Sequence, residues 1–366
     1  MIKKKVLLLT APYGNGHLQP ARVLKQQLEE KGMEVQVYDI IDEWNTQISK
    51  ITQNVYKQMY RVGFRRIYQF WYWATDQKIA GSIVTSFLKT TNRKNLKNAI
   101  HTINPDSIIC VFPSWALYKL LEDFEITVPV QTVVTDFYMH KLWYHPDVTR
   151  YFVANEWTYQ STNFPVDEKK FFVSGIPIKP EFEDVIQEVA SDQEIKRTVL
   201  LIAGASGVST QYLALAKKIH GLDENLKVIL ICGKNRALFA KSIKARKKLA
   251  SPRFVVIGFS RDMLKQYQLA DVVITKSGGN TVTELAALAK PAIFFDPLFG
   301  QEMANAQFFE KYGVAKIAMT AGETVSFVEQ LYENETAILD MKCGYKEFFV
   351  HDSGKKIADE IERLMK

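Results

Sequence analysis

The sequence predicts an α/β protein built as two successive parallel-sheet units, and three observations carry that prediction. Short apolar runs alternate with helical periodicity along most of the chain, the rhythm of strands joined by crossover helices. Two glycine-containing turns, Tyr13-Gly14-Asn15-Gly16-His17 and Lys276-Ser277-Gly278-Gly279-Asn280-Thr281, each stand between an apolar run and a helical stretch. A length of 366 residues exceeds what one hydrophobic core usually organises, and the length prior is about two domains.

Residues 6–9 read as the first strand, 19–31 as a helix stopped at Gly32, and 35–38 as the second strand. Residues 107–112 and 130–134 are apolar runs introduced by Pro105 and Pro129, and 151–154 and 170–173 complete the first unit. The run GIPIKP at 175–180 stiffens the chain before a polar, acidic stretch, so the linker falls at 179–195. The expected division is 1–178, the linker, 196–352, and a terminal helix at 353–366 with Ile357, Ile361 and Leu364 on one side. Residues 198–202, 227–232, 254–257, 272–275 and 292–295 read as strands of the second unit. Such folds bind ligands at the carboxyl ends of their strands. The pattern alone leaves that ligand unspecified.

Composition narrows the setting. Cys110, Cys232 and Cys343 form no CxxC pair, which argues against a disulfide scaffold and a structural zinc site. The opening MIKKKVLLLTAPYGNGH has an apolar stretch too short for a signal peptide core and reads as a buried strand. No run of 18 apolar residues occurs, so a membrane span is not expected. A net charge of +7 points to anionic partners: nucleic acid, anionic lipid or phosphate-bearing substrates.

The two turns carry the chemistry. In the first, glycines allow close approach of a substrate, and the turn matches neither the GxGxxG fingerprint nor a P-loop. His17 lies at its end, where a neutral imidazole with an ordinary pKa of about 6.5 accepts a proton from a hydroxyl. A capping histidine is the alternative. In the second turn, backbone N–H groups at the helix start form a diphosphate seat, and Ser277 or Thr281 offers a hydroxyl. Glu284 lies one turn on, where a carboxylate accepts ribose hydroxyls; taken alone it reads as a surface helix residue. Gln301, Glu302 and Asn305 follow the run AIFFDPLFG and suit sugar hydroxyls, with a polar surface helix as the alternative. Asp136, in VTDFYMH, follows a strand and is read as a partner of His17, as the base itself, or as a capping residue.

The segments APYGNGHLQPARVL, VVTDFYMHKLWYHPDVTRYFVANE, SGIPIKPEF, ITKSGGNTVTELAALAKPAIFF and GQEMANAQFFEKYG occur in family order. Together they resemble the diacylglycerol glucosyltransferases of Gram-positive bacteria, and more distantly plant monogalactosyldiacylglycerol synthases and the cell-wall lipid N-acetylglucosaminyltransferase of glycosyltransferase family 28. The resemblance implies a GT-B fold, two Rossmann-like domains facing a central cleft, with the C-terminal helix returning to the N-domain. It implies an inverting transfer with the donor held by the C-domain: Ser277, Gly278 and Gly279 at the diphosphate, Glu284 at ribose, and Gln301, Glu302 and Asn305 at the sugar. Gly16, Thr281 and His17 belong to the same expected site. GNGH replaces the GGGH of plant members.

Between Lys50 and Lys97 there are ten basic residues and one acidic residue, Asp76. Tyr56, Tyr60, Phe64 and Tyr68 recur every fourth residue, with Lys57, Arg61 and Arg65 beside them, then Arg66 and the run Phe70-Trp71-Tyr72-Trp73. An interfacial, lipid-facing segment is expected there, with Tyr56, Lys57, Tyr60, Arg61, Phe64, Arg65, Arg66, Trp71 and Trp73 at the membrane or the acceptor. Core packing and single-stranded nucleic acid are the competing readings.

The expected reaction is transfer of glucose from UDP-glucose to diacylglycerol and then to glucosyl-diacylglycerol, at the cytoplasmic face of the membrane. No tightly bound cofactor, metal or nucleic acid is expected, because fixed N–H groups can stabilise the leaving diphosphate. Transfer of galactose, transfer or epimerisation of a UDP-N-acetylhexosamine, and a non-catalytic nucleotide-sugar sensor are the alternatives.

Overall fold

The computed structural model describes residues 3–11, 15–40, 72, 93–123, 125–185, 195–204 and 211–365. They divide into two compact units, one of Met1–Pro180 with Phe349–Lys366, the other of Glu181–Phe348.

The first unit holds β1 (Lys5–Thr10), β2 (Glu34–Asp39), β3 (Ser107–Cys110), β4 (Val130–Val133), β5 (Arg150–Val153) and β6 (Phe171–Val173). All pair in parallel, in the order β2-β1-β3-β4-β5-β6. Consecutive side chains of a strand point to opposite faces, and β1 shows why this strand needs cover on both. Leu7 and Leu9 pack with Ile108, Leu117 and Tyr151 on one face. Val6 and Leu8 pack with Leu24, Leu28, Ile357 and Ile361 on the other. Full burial of such an aliphatic side chain stabilises by about 1.5–3 kcal/mol, so β1 is the strand that both layers share.

The helix Ser353–Leu364 supplies part of the second layer. Ser353 Oγ donates to the Ile176 carbonyl at 2.9 Å, Lys31 bridges Asp359 and Glu362, and Arg150 meets Glu360. The C-terminal helix thus returns to the N-terminal unit, completing a core that the first 180 residues leave open.

The second unit holds β7 (Thr198–Ile202), β8 (Lys227–Ile231), β9 (Phe254–Ile257), β10 (Val272–Thr275), β11 (Ala292–Phe295) and β12 (Ala315–Ala318). They form a parallel sheet in the order β12-β11-β10-β7-β8-β9. Its core includes Val199, Leu201, Val228, Leu230, Val272 and Ile274, under Tyr212, Leu215 and Val328 from the covering helices.

Two elements differ from the sequence reading. The strand β12 lacks the expected apolar signal because it is a four-residue edge strand with Lys316 exposed. The first helix spans Asn15–Glu30, so it begins a turn before Gln19 and absorbs Gly16 and His17. Pro20 lies inside this helix, where it has no N–H to return to the Gly16 carbonyl.

The junction at Gly175 makes a test of the returning segment. Its φ is +80°, and a Cβ there would stand 2.8 Å from the Val350 carbonyl oxygen. Gly175→Ala is expected to destabilise the protein by about 2 kcal/mol or more, through left-handed strain plus a clash with backbone. Urea unfolding measures it, and an unchanged midpoint and slope would contradict this account of the junction.

Candidate active site

Each sheet reverses its winding direction once. In the first unit the chain passes from β1 to β2 on one side and then to β3 on the other, so the crevice lies between β1 and β3. In the second, β7, β8 and β9 run one way and β10 falls on the opposite side of β7. The glycine-containing turns follow β1 and β10, which places each beside a switch point.

His17 sits in the first turn of its helix, half-buried, directly over the end of β3. Its Nδ1 is 3.0 Å from the Val111 carbonyl oxygen and 3.0 Å from Thr135 Oγ1. A carbonyl only accepts, so Nδ1 carries the proton and Nε2 carries the lone pair. Phe112 meets the ring edge-on at 5.0 Å between centroids, and Trp143 lies at 6.0 Å. This packing lowers the imidazole from its ordinary 6.5 to about 4 through desolvation, against the opposing hydrogen bond to Val111. The expectation of a ring titrating near neutrality is therefore corrected: the ring is neutral throughout the physiological range.

Asp136 is buried in the segment after β4, next to Thr135. The orienting place at Nδ1, one of the roles expected of Asp136, is filled by the Val111 carbonyl and the Thr135 hydroxyl. Farther along this segment, His140 Nδ1 accepts from the Leu142 N–H, which leaves its Nε2–H to donate to the Tyr72 carbonyl at 3.2 Å. The rings of Tyr72 and His140 lie 4.5 Å apart. Tyr56, Lys57, Tyr60, Arg61, Phe64, Arg65, Arg66, Trp71 and Trp73 lie outside the described residues.

In the second unit, β10 runs into Lys276, Ser277 and Gly278, and the helix Gly279–Ala287 starts with Gly278 as its N-cap. No side chain caps that start, so its first N–H groups are open to an anion. Gly278 has φ −69° and ψ 140°, which any residue adopts, and nothing stands within 4 Å of where its Cβ would be. Neither backbone strain nor packing requires glycine there, and the same space is open at Gly16.

The seat is held from below. Ser277 Oγ donates to the Glu302 carbonyl at 2.5 Å, and Asn305 Nδ2 donates to the Ser277 carbonyl at 3.0 Å. Glu302 accepts from the Leu298 N–H at 2.7 Å and lies 3.8 Å from the Lys276 ammonium. Two expectations change accordingly. The Ser277 hydroxyl has its single proton committed to the Glu302 carbonyl, so its side chain braces the turn. Asn305 is fully buried and fixes the loop rather than offering its amide to a sugar. Gln301, in the first turn of the helix Gln301–Lys311, and Thr281 are both half-buried.

Glu284 is not a surface residue: it is 9% exposed. Tyr267 Oη donates to its Oε2 at 3.1 Å and Asn280 Nδ2 to its Oε1 at 2.7 Å. Asn280 Oδ1 is buried without a partner among the described residues, a second acceptor at the same place.

Sequence reasoning missed Val111, Thr135, Tyr267, Asn280, Asp296 and Phe259. Asp296 ends β11 at φ 50°, a conformation rare outside glycine and one that concentrates at ligand sites. Phe259, 50% exposed after β9, carries the Lys234 ammonium 5.4 Å over its ring. The dipeptide Asp296-Pro297 was a usable signal; the hydrogen bonds to Glu284 were not. Among the described residues no cluster of His, Cys, Asp or Glu could hold a metal, and no helix is long and apolar enough to cross a membrane.

Two Rossmann-like units, each a parallel sheet with one switch point, define a GT-B protein. Solved structures share that fold: Acinetobacter baumannii MurG superposes with a TM-score of 0.67 at 18% identity, covering 98% of this chain and 99% of that one. Staphylococcus aureus MnaA with UDP gives 0.64 at 12%, covering 99% and 97%. The chain matches the monogalactosyldiacylglycerol (MGDG) synthase family over residues 17–178 and the glycosyltransferase family 28 C-terminal domain over 182–360. Processive diacylglycerol beta-glucosyltransferases of Bacillus cereus strain G9842 and Bacillus mycoides strain KBAB4 are each 34% identical over 369 residues, 99% of this chain and 94% of theirs. The chain belongs to this glycosyltransferase family.

The lowered pKa of His17 fixes a sign. The folded value lies below the unfolded one, so between about 6.5 and about 4 the unfolded chain binds the extra proton. Acidification through that window is expected to erode the stability that the neutral ring contributes, and the loss is complete below about 4. Histidine NMR should show the His17 ring still neutral at pH 5.5; a midpoint near 6.5 would contradict the packing described.

Proposed function

We propose that this glycosyltransferase moves glucose from UDP-glucose to 1,2-diacylglycerol with inversion, and repeats the transfer on the glucosyl-diacylglycerol it makes. The single observation that carries the proposal is 34% identity over essentially the whole chain to enzymes named for that reaction. The geometry supports it in both units. His17 presents an Nε2 lone pair, its Nδ1 proton held by Val111, and so takes the acceptor hydroxyl's proton as the hydroxyl attacks the anomeric carbon. Desolvation keeps the base available at any physiological pH, and the hydrogen bond from Nδ1–H to the Val111 carbonyl stabilises the imidazolium that forms.

In the second unit, the N–H groups at Gly278, Gly279 and the following residues receive the diphosphate. Their dipoles are fixed before the reaction, so charge growing on the leaving UDP is stabilised without reorganisation. Ser277, Glu302 and Asn305 hold that turn in shape, and Lys276 lies close to it. Glu284 and Asn280 accept from ribose, Phe259 offers a stacking face for the base, and Gln301 and Thr281 reach the sugar and phosphates. These groups supply the charge stabilisation with no resident metal or cofactor in the scheme. The enzyme acts as a peripheral protein on the cytoplasmic face of the membrane.

Radiolabelled transfer to detergent-dispersed diacylglycerol tests the function directly, with UDP-glucose, UDP-galactose and UDP-N-acetylglucosamine compared. Glucosyl-diacylglycerol should form fastest from UDP-glucose. UDP release without acceptor, or no release at all, would instead favour an epimerase or a sensor. His17→Gln keeps a hydrogen-bonding group but not a base, and should lower single-turnover transfer by about 10²–10⁴-fold with UDP affinity nearly unchanged. Should Asp136→Asn prove the more damaging change, Asp136 is the base. Glu284→Ala should weaken UDP binding in calorimetry by at least about tenfold, since it removes an acceptor and leaves Tyr267 and Asn280 unpaired.

A further inference from the structure

The helix Arg236–Leu249, between β8 and the edge strand β9, has a surface unlike the rest of the molecule. From Asn225 to Arg261 the chain holds ten Lys or Arg and no Asp or Glu. Arg236, Lys241, Lys244, Arg246, Lys247 and Lys248 are all exposed, and none makes an ion pair or side-chain hydrogen bond among the described residues. Several cations elsewhere are matched by acids: Lys31 by Asp359 and Glu362, Arg93 by Asp123 and Glu125, Arg197 by Asp223 and Glu335.

Helix electrostatics account for part of this surface only. Three cations in the last turn complement the carboxyl-end dipole. Arg236 stands in the first turn, where that dipole disfavours it, and no acid balances it there. At 100° per residue, Arg236, Lys241, Lys244, Lys247 and Lys248 fall within an arc of about 140°, opposite the stripe of Leu238, Ser242 and Leu249 that packs inward. Phe239, 37% exposed and one turn from the helix start, lies about 60° beyond the edge of that arc at Arg236. The result is a strip about 21 Å long, cationic along its length and aromatic at one end.

We propose that this face of the second unit is a docking surface for an anionic phospholipid bilayer, separate from the aromatic segment at residues 50–97. Charge complementarity selects an anionic surface, and the exposed Phe239 suits the head-group zone. The choice of a bilayer over a polynucleotide rests on the lipid-acceptor reading of the active site. Five cations on one arc each contribute roughly a fivefold factor to partitioning onto such a surface.

The test compares the full-length protein with the variant Lys241→Gln/Lys244→Gln/Lys247→Gln/Lys248→Gln, whose altered side chains are all exposed. Matched thermal melts establish that both are folded. Sedimentation with phosphatidylglycerol vesicles should show at least about a tenfold loss of affinity in the variant, with binding to phosphatidylcholine vesicles unchanged. Transfer to detergent-dispersed diacylglycerol should stay within about twofold, because none of these residues belongs to the active site. A second variant, Phe239→Ser, should weaken vesicle binding but leave affinity for a single-stranded oligonucleotide as it was. Equal sedimentation of parent and quadruple variant would overturn the proposal, as would a loss confined to oligonucleotide binding. Absence of transfer by the parent in detergent would strike the proposed function instead, and the vesicle comparison would still be read on its own terms.

Discussion

A parallel strand buried on both faces can be connected only by a crossover, and that requirement organises the rest of this molecule. Val6, Leu7, Leu8 and Leu9 are each fully buried, shared between two cores that lie on opposite sides of the sheet. Helices must cover both sides, every strand then points the same way, and every connection to a helix leaves from the same edge. Where the winding reverses, adjacent connections diverge and a crevice opens. In the first unit that crevice receives His17 from the first turn of the helix after β1 and Val111 from the end of β3. In the second it receives the open helix start after β10. The chemistry stands where packing cannot close the fold.

The two halves use burial in opposite ways. Around His17, burial disfavours charge, so the ring is held neutral at the expense of intrinsic basicity. The backbone carbonyl at Nδ1 fixes the tautomer without adding a titratable neighbour. At the Gly278 turn, burial is confined to the braces. Ser277 and Asn305 are fully buried, whereas Gly278 retains open space around its Cβ position. In the proposed reaction a diphosphate would bring its own charge, and oriented peptide dipoles would answer it. Rigid dipoles are effective only if the loop cannot relax toward the anion, which is why three hydrogen-bonding residues are spent beneath it.

Most of the fold was legible because most strands are short apolar runs, with β2 showing alternation instead. The strand β12 escaped because an edge position tolerates Lys316 and leaves little periodic signal. The start of the first helix escaped for a different reason: Pro20 mimics a helix start, and only tertiary packing of Ala21, Leu24 and Leu28 shows that the helix continues behind it. At the site, residue types and positions were readable but partners were not. Nothing in the spacing of Glu284 reveals Tyr267, seventeen residues earlier, or the depth at which both lie. Likewise Val111 and Thr135 reach His17 across ninety-four and one hundred and eighteen residues. Such contacts arise from strand order, which the periodicity of a single sequence leaves open.

The distribution of charge follows from the same division between structure and surface. Several cations that hold elements together are met by acids, as Lys31 is where the C-terminal helix docks and Arg197 is at the start of β7. Each such pair contributes little by itself when exposed, but it fixes which elements meet. Cations of the helix Arg236–Leu249 meet no acid, although acidic residues could be accommodated at (i, i+4) without disturbing its buried stripe. Mutual repulsion along that arc is destabilising for the isolated helix, and packing of Leu238 and Leu249 has to outweigh it. A surface that accepts repulsion in the free protein relieves it when counter-charge arrives. For an enzyme whose acceptor dissolves only in a lipid phase, the natural counter-charge is the head-group layer that surrounds the acceptor.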